Sequence, residues 1–319
     1  MNRIRHKYFR RYLTAKEKLI GLLRRIIVPG FEQIPLYDVL VFFLNGLFKG
    51  ALSVRAAAVA FSFFLAIFPF IIFIFTLIPY IPIENFQASL LNLFAEVIPA
   101  DTYAMVEKTI FEIVTKQNTG LLSLSFVLTF IFSTNGLSAI MEGFNGSTHI
   151  TQTKPWLQQR LIAIILLIIL SVFVVLAIAM ITMGGTLINF MIDNNIISGD
   201  FTVIMLELIQ WLATLALTFF SVSLLYYLGP ANRKKYHIIS PGSILATFLL
   251  IAGTLGFNFY IANFSNYNAL YGSIGTLIIF MIWLFFNAFI LLIGFELNAS
   301  IARAKSHPGY SRQEETTLL

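Results

Sequence analysis

Six stretches of twenty or more mostly apolar residues dominate this chain, at about 56–79, 121–144, 160–183, 202–228, 241–262 and 273–299. About 20 such residues in a helix cross the ~30 Å of hydrocarbon in a bilayer. In lipid every backbone polar group needs a partner inside the protein, and within a single apolar run only a helix supplies one. The composition agrees, with 58% of the residues hydrophobic and 11% charged, where soluble domains are about a quarter charged. The predicted fold class is therefore all-α: a polytopic integral membrane protein with six transmembrane helices plus amphipathic interfacial helices. The chain has no cysteine, which excludes disulfides, thiolate metal sites and a cysteine nucleophile.

The connecting segments set an orientation. Eleven of the 21 Lys and Arg lie in the first 55 residues, and Lys154, Arg160, Arg233, Lys234, Lys235, Arg303, Lys305 and Arg312 follow in alternate connections and the tail. On the other side, 80–120 holds two lysines against five acids, 184–201 holds only Asp193 and Asp200, and 263–272 is uncharged. The positive-inside rule then predicts that both termini are cytoplasmic, in a multi-pass protein of the bacterial cytoplasmic (inner) membrane. No cleaved signal peptide is expected, because the first apolar run follows 55 charged and mixed residues. The organisation expected is a basic arm over 1–50, a membrane domain over 51–302 and a cytoplasmic tail over 303–319.

Residues 14–28 and 36–50 have the pattern of interfacial helices, the second with Gly46 and Gly50 at close-packing spacing. An external amphipathic hairpin is expected over 84–118, with Pro99 ending its first helix and Asp101 capping its second. It reads first as a surface element, with a lid as the alternative. The basic arm should meet membrane lipids through their anionic head groups. Nucleic acid would feel the same charge, but no aromatic-lined basic groove or known module accompanies it, so no nucleic-acid partner is expected.

Nothing in the pattern points to catalysis. His6, His149, His237 and His307 are scattered with no metal-ligand spacing, and there is no P-loop, nucleophile elbow or dinucleotide fingerprint. No cofactor is expected. The informative residues are the polar ones in or beside the spans, because ionisable groups in the membrane are costly. Arg55, Glu142, Arg160 and Glu296 fall at the same end of their spans and can form an ion-pair cluster, which serves as a structural staple or as a gate. Arg55 is expected within ion-pair reach of Glu142 or Glu296. Ser133, Thr134, Asn135 and Gly136 lie midway along the second span, as a locally opened helix or as ordinary interhelical hydrogen bonding. Asn287 is the deep polar residue of the last span, and with 133–136 it makes a candidate polar path. Pro69 should bend the first span and act as a hinge, since it cannot donate to the Leu65 carbonyl.

The stretches "RAAAVAFSFFLAIFP" (55–69), "VIPADT" (97–102), "YYLGPANRKKYHIISPGSILA" (226–246) and "YGSIGTLIIFMIWLFFNAFILLIGFELNA" (271–299) together resemble the YihY/BrkB family of bacterial inner-membrane proteins, over about residues 45–305. The resemblance implies a six-helix inner-membrane protein of poorly established activity. Members are called virulence or serum-resistance factors, are discussed as transporters including of lipids, and have carried a ribonuclease label. No catalytic set carries over. Arg55, Pro69, Gly294, Glu296 and Asn298 are the residues that sit inside the shared motifs. The function expected is an inner-membrane transporter or lipid-translocating protein with no nucleotide-driven chemistry, its substrate a lipid or small molecule. The alternative is a membrane scaffold or assembly partner without transport, and either is compatible with an oligomer.

Overall fold

A computed structural model describes residues 20–82, 86–97, 100–147, 150, 154–194, 200–231, 236–264 and 273–306. The described chain is helical throughout: α1 (Leu36–Lys49), α2 (Leu52–Leu77), a 3-10 turn (Ile78–Tyr80), α3 (Phe86–Val97), α4 (Ala100–Thr115), α5 (Thr119–Asn145), α6 (Trp156–Asp193), α7 (Asp200–Leu228), α8 (Pro241–Phe264) and α9 (Ser273–Ser306). Six of these are long and apolar enough to cross a membrane: Leu52–Tyr80, Thr119–Asn145, Trp156–Met180, Val203–Leu228, Pro241–Ile261 and Gly275–Ser306. Their outer faces carry bare aliphatic and aromatic side chains, for example Val175, Leu176 and Ile178 on α6 and Trp211 and Leu212 on α7. Such surface is stable only against lipid or another apolar face.

The chain forms two compact units. The first comprises Met1–Val59 and Ser138–Leu319. In it α9 packs on α8 and on α1, and α7 packs on both α6 and α8. The α8–α9 crossing is close because two glycines meet there. A Cβ on Gly242 would overlap the Gly294 carbonyl oxygen, and one on Gly294 would stand 2.6 Å from the Ala246 Cβ. Small residues at a membrane crossing let backbones approach where bulkier ones would hold them apart. A stacked group, Phe144, Phe295, Tyr226 and Tyr236, fills the space beside the crossing, with Phe144 and Phe295 4.3 Å apart. The Tyr226 hydroxyl donates to the Leu291 carbonyl at 2.6 Å, so this buried phenol is satisfied.

The second unit is Ala60–Leu137. Within it Thr76 and Ser125 share a buried hydroxyl contact at 3.3 Å, Phe73 packs on Phe126, and Gly136 sits against the Phe63 ring. α3 and α4 pack together, and Gln87 and Gln117 tie them back to the carbonyls of Ile78, Ile81 and Pro79.

Two local differences from the sequence reading have physical causes. The helix expected over 14–28 is a single turn at 20–23 among the described residues, and 14–19 lie outside them. Pro29 disfavours helix at Val28, and an antiparallel bridge between Ile27 and Pro35 closes a loop instead. Gly30, Glu32 and Gln33 all take positive φ in that loop, at 90°, 51° and 66°. α4 begins at Ala100, so Asp101 falls within its first turn and not before it. Pro69 lies inside α2, with helix on both sides of it. Pro99, Arg233, Lys234, Lys235, His6, His149, His307 and Arg312 lie outside the described residues.

The glycine crossing yields a stability test. Gly242→Ala should lower the thermal midpoint in detergent by the equivalent of about 1–3 kcal/mol, the cost of overpacking. Gly256→Ala, on the same helix with nothing near its Cβ position, should be neutral or slightly stabilising.

Candidate functional site

Arg55 lies in the first turn of α2 and Glu296 about ten residues before the end of α9. Their side chains meet inside the first unit, with Arg55 Nη2 3.4 Å from Glu296 Oε2. The carboxylate is fully buried and the guanidinium is 12% exposed. Glu296 Oε1 accepts from the Ser147 hydroxyl at 2.9 Å, and Arg55 Nη1 donates to the Gly143 carbonyl at 2.7 Å. Arg55 Nε–H is buried with no hydrogen-bond partner among the described residues.

Glycines make room for this pair. A Cβ on Gly46 of α1 would overlap the Glu296 carboxylate, with its Cδ 2.7 Å away. A Cβ on Gly50 would sit 2.8 Å from Arg55 Nη2, and one on Gly146 2.9 Å from Arg55 Cδ. Backbone thus encloses two charges at a depth where bulkier neighbours would push them apart.

The next residues of α9 serve α8. Asn298 Oδ1 accepts from the Gly242 N–H at 2.8 Å, and its Nδ2 donates to Ser240 Oγ at 2.8 Å. Ser240 caps α8: its Oγ accepts from the Ser243 N–H, while the Ser243 hydroxyl accepts from the Ser240 N–H. Pro241 at the first helical position has no N–H to satisfy. The segment 294–298 therefore supplies a close crossing (Gly294), an aromatic centre (Phe295), a buried acid (Glu296) and a cap for another helix (Asn298).

A family model described as Virulence factor BrkB matches residues 45–317, which includes all of these groups. The chain belongs to the virulence factor BrkB family. It is 28% identical over 254 residues to the ribonuclease-like protein YfkH of Bacillus subtilis (strain 168), covering 80% of this chain and 91% of that protein. It is 24% identical over 264 residues to a UPF0761 membrane protein of Tolumonas auensis, covering 82% and 84%. No solved structure matches. The family is one of membrane proteins and not a known enzyme family. The ribonuclease-like name is the Bacillus protein's own, and among the described residues no group of three His, Asp or Glu side chains is placed to hold a metal.

The BrkB-family motifs thus carry the buried pair and Asn298. Of the four charges expected together, Arg55 and Glu296 meet. Glu142 is exposed and accepts from the Gln159 amide at 3.3 Å. Arg160 stands half-buried near the start of α6. In the second unit α5 is continuous through 133–136, so the helix is not opened there. Thr134 is buried and returns its hydroxyl to the carbonyls of Phe130 and Ile131, Gly136 is buried, Ser133 is half-buried, and Asn135 is on the outside. Asn287 likewise donates to its own helix, at the Trp283 carbonyl, 2.7 Å. Pro69 is buried within α2.

Sequence reasoning missed Ser147, because a lone hydroxyl beyond a span gives no signal. It also missed a clasp: Glu32, in the 27–35 loop, binds Lys305 of α9 and lies 3.3 Å from His237 before α8. The Lys305 hydrogen bond, helped by the Lys305 and His237 charges and opposed by partial burial, holds the Glu32 carboxyl below the usual carboxylate range. A depressed folded pKa adds stability above the unfolded value of about 4.3 and loses it as pH falls through the folded one. Glu32→Gln should therefore lower the thermal midpoint at pH 7, and the difference from wild type should shrink as pH falls below the unfolded value of about 4.3.

The buried pair has its own test. Arg55→Met or Glu296→Met alone strands a buried charge and should cost about 3–5 kcal/mol, whereas the double replacement should come within about 1–2 kcal/mol of wild type. Thermal unfolding in detergent measures all three.

Proposed function

We propose that this BrkB-family protein is a transporter that moves a lipid or another amphiphile across the bacterial inner membrane, and that Arg55 and Glu296 form the latch of its closed state. The observation that carries this reading is the unfinished state of the pair. A buried ion pair gains little over apolar packing even with ideal geometry. Here the contact is 3.4 Å and one guanidinium N–H has no acceptor among the described residues, whereas charge-assisted bonds settle near 2.7–2.9 Å. A staple selected for stability would be tighter or absent. A pair that is buried, imperfect and retains a free donor suits an element that breaks, rehydrates and re-forms. No nucleotide motif accompanies it, so movement would need a gradient, a partner or passive flow.

In this reading α1 and the ends of α2 and α9 at the latch face the cytoplasm, and the α3–α4 hairpin faces outward. The cysteine-free chain makes the orientation simple to test. A single cysteine replacing Lys116, which is exposed after α4, should react with an impermeant maleimide in spheroplasts. One replacing Arg25, exposed before α1, should react only after lysis. The reverse pattern would overturn the orientation.

The functional test is labelled-lipid movement in proteoliposomes. Wild type should move lipid, and the folded Arg55→Met/Glu296→Met double variant should lose at least about tenfold in rate. Undiminished movement by the double variant would make the pair a staple. No movement by wild type would favour the scaffold alternative.

A further inference from the structure

The first unit contains a track that runs from a polar mouth to an apolar outer wall. At the mouth is a cavity of about 510 Å³ lined by Glu32, Gln33, Tyr236, His237, Ser240 and Asn298 among apolar neighbours. It shares the wall of Val28, Pro29, Gly30, Ile239, Ser240 and Pro241 with a second space of about 460 Å³, whose further lining is Phe31, Ile244, Leu245, Phe248 and Leu297. Ile244 and Phe248 in turn line a third space of about 420 Å³ between α7 and α8, completed by Leu212, Leu215, Phe219 and Ile251. Each volume lies in the range of ligand sites, about 300–1,000 Å³. The track begins where span Pro241–Ile261 begins and follows that span inward.

Three observations make the mouth more than a crevice. Tyr236 is 9% exposed, yet among the described residues its hydroxyl has no hydrogen-bond partner; its ring rests on Phe295. Burial, with the Glu296 charge as second cause, pushes its ionisation up, so it stays a neutral donor. The 27–35 loop holds Glu32 and Gln33 at the mouth through two consecutive non-glycine residues at positive φ, a conformation that persists only where its surroundings impose it. Phe31 provides that anchor, buried among Val39, Phe42, Leu297, Ile301 and Ala304. Finally, His237 and Lys305 flank the opening and share the single acid Glu32.

We infer that this track binds one phospholipid, its phosphate at the mouth against the Tyr236 hydroxyl, His237 and Lys305, and an acyl chain along Ile244 and Phe248. The phosphate is the chemistry that a lysine ammonium, an imidazole N–H and a neutral phenol donor recognise. The acyl chain follows because the cavity opens into apolar grooves on the outer wall of a span, where a soluble phosphate would leave them empty. Exposed Ile239, Ile244 and Phe248 are what a chain entering from the bilayer would first meet. The site names a substrate class for the proposed transporter and in that respect rests on the transport reading, although occupancy itself does not require movement.

The test uses the full chain in nanodiscs and a phosphatidylethanolamine bearing a diazirine on one acyl chain, with adducts mapped by mass spectrometry. Adducts should concentrate on α8 near Ile244 and Phe248. Tyr236→Phe, which keeps the ring, should reduce them about tenfold, as loss of a hydrogen bond to a charged group does. Ile244→Trp, an exposed position whose filling spares the core, should reduce them at least as much. The same diazirine on a diacylglycerol, which lacks the phosphate, should label α8 at least about fivefold less. Labelling spread evenly over the six spans, or unchanged in both variants, would reduce the track to ordinary lipid-facing surface. Equal labelling by diacylglycerol would overturn the phosphate. Either result is independent of lipid movement in proteoliposomes, whose absence would overturn the transport reading and leave specific adducts in place.

Discussion

Two charges buried between apolar helices set the terms for everything around them. An arginine and a glutamate cannot leave water without partners, so the first unit brings Gly46, Gly50, Gly143, Gly146 and Ser147 to Arg55 and Glu296. That requirement explains why α1, which does not span, packs against α9: only a glycine on its buried face clears the carboxylate. It also fixes where α2 starts and where the end of α5 must lie. The pair contributes position more than energy, since a buried ion pair roughly breaks even with apolar packing.

The same five-residue stretch of α9 joins the pair to the membrane-facing track. Phe295 touches Phe144, Tyr226 and Tyr236, and Tyr236 lines the mouth of the track. Asn298 holds the cap of α8 and lines the same cavity. An opening of the Arg55–Glu296 contact that shifts α9 would move both the phenol at the mouth and the first turn of the helix along which the acyl chain lies. The pair and the track share a continuous set of contacts, which in the proposed reading gives a route for a bound amphiphile to bias the latch.

The six spans were legible because twenty-residue apolar runs have few alternatives in lipid. Arg55 and Glu296 were legible because charges beside such runs stand out. Their actual surroundings were not: a glycine two helices away announces close packing without saying against what, and Ser147 resembles any loop serine. Residues 133–136 read equally as an opened helix and as interhelical hydrogen bonding, because polar side chains cluster there. Thr134 instead satisfies itself on the preceding turn, which a one-dimensional pattern cannot distinguish from an opened helix. The Glu32–His237–Lys305 clasp joins residues more than 200 positions apart, and no local signal pairs them.

The central claim is that the Arg55–Glu296 contact opens. Spin labels can replace Val54, exposed on α2, and Ser306, exposed at the end of α9, in a chain with no cysteine of its own. Pulsed electron–electron double resonance in nanodiscs then measures their separation directly. The account predicts two distance populations in wild type, with Glu296→Gln shifting weight to the longer one. A single distance that the substitution leaves unchanged would contradict it.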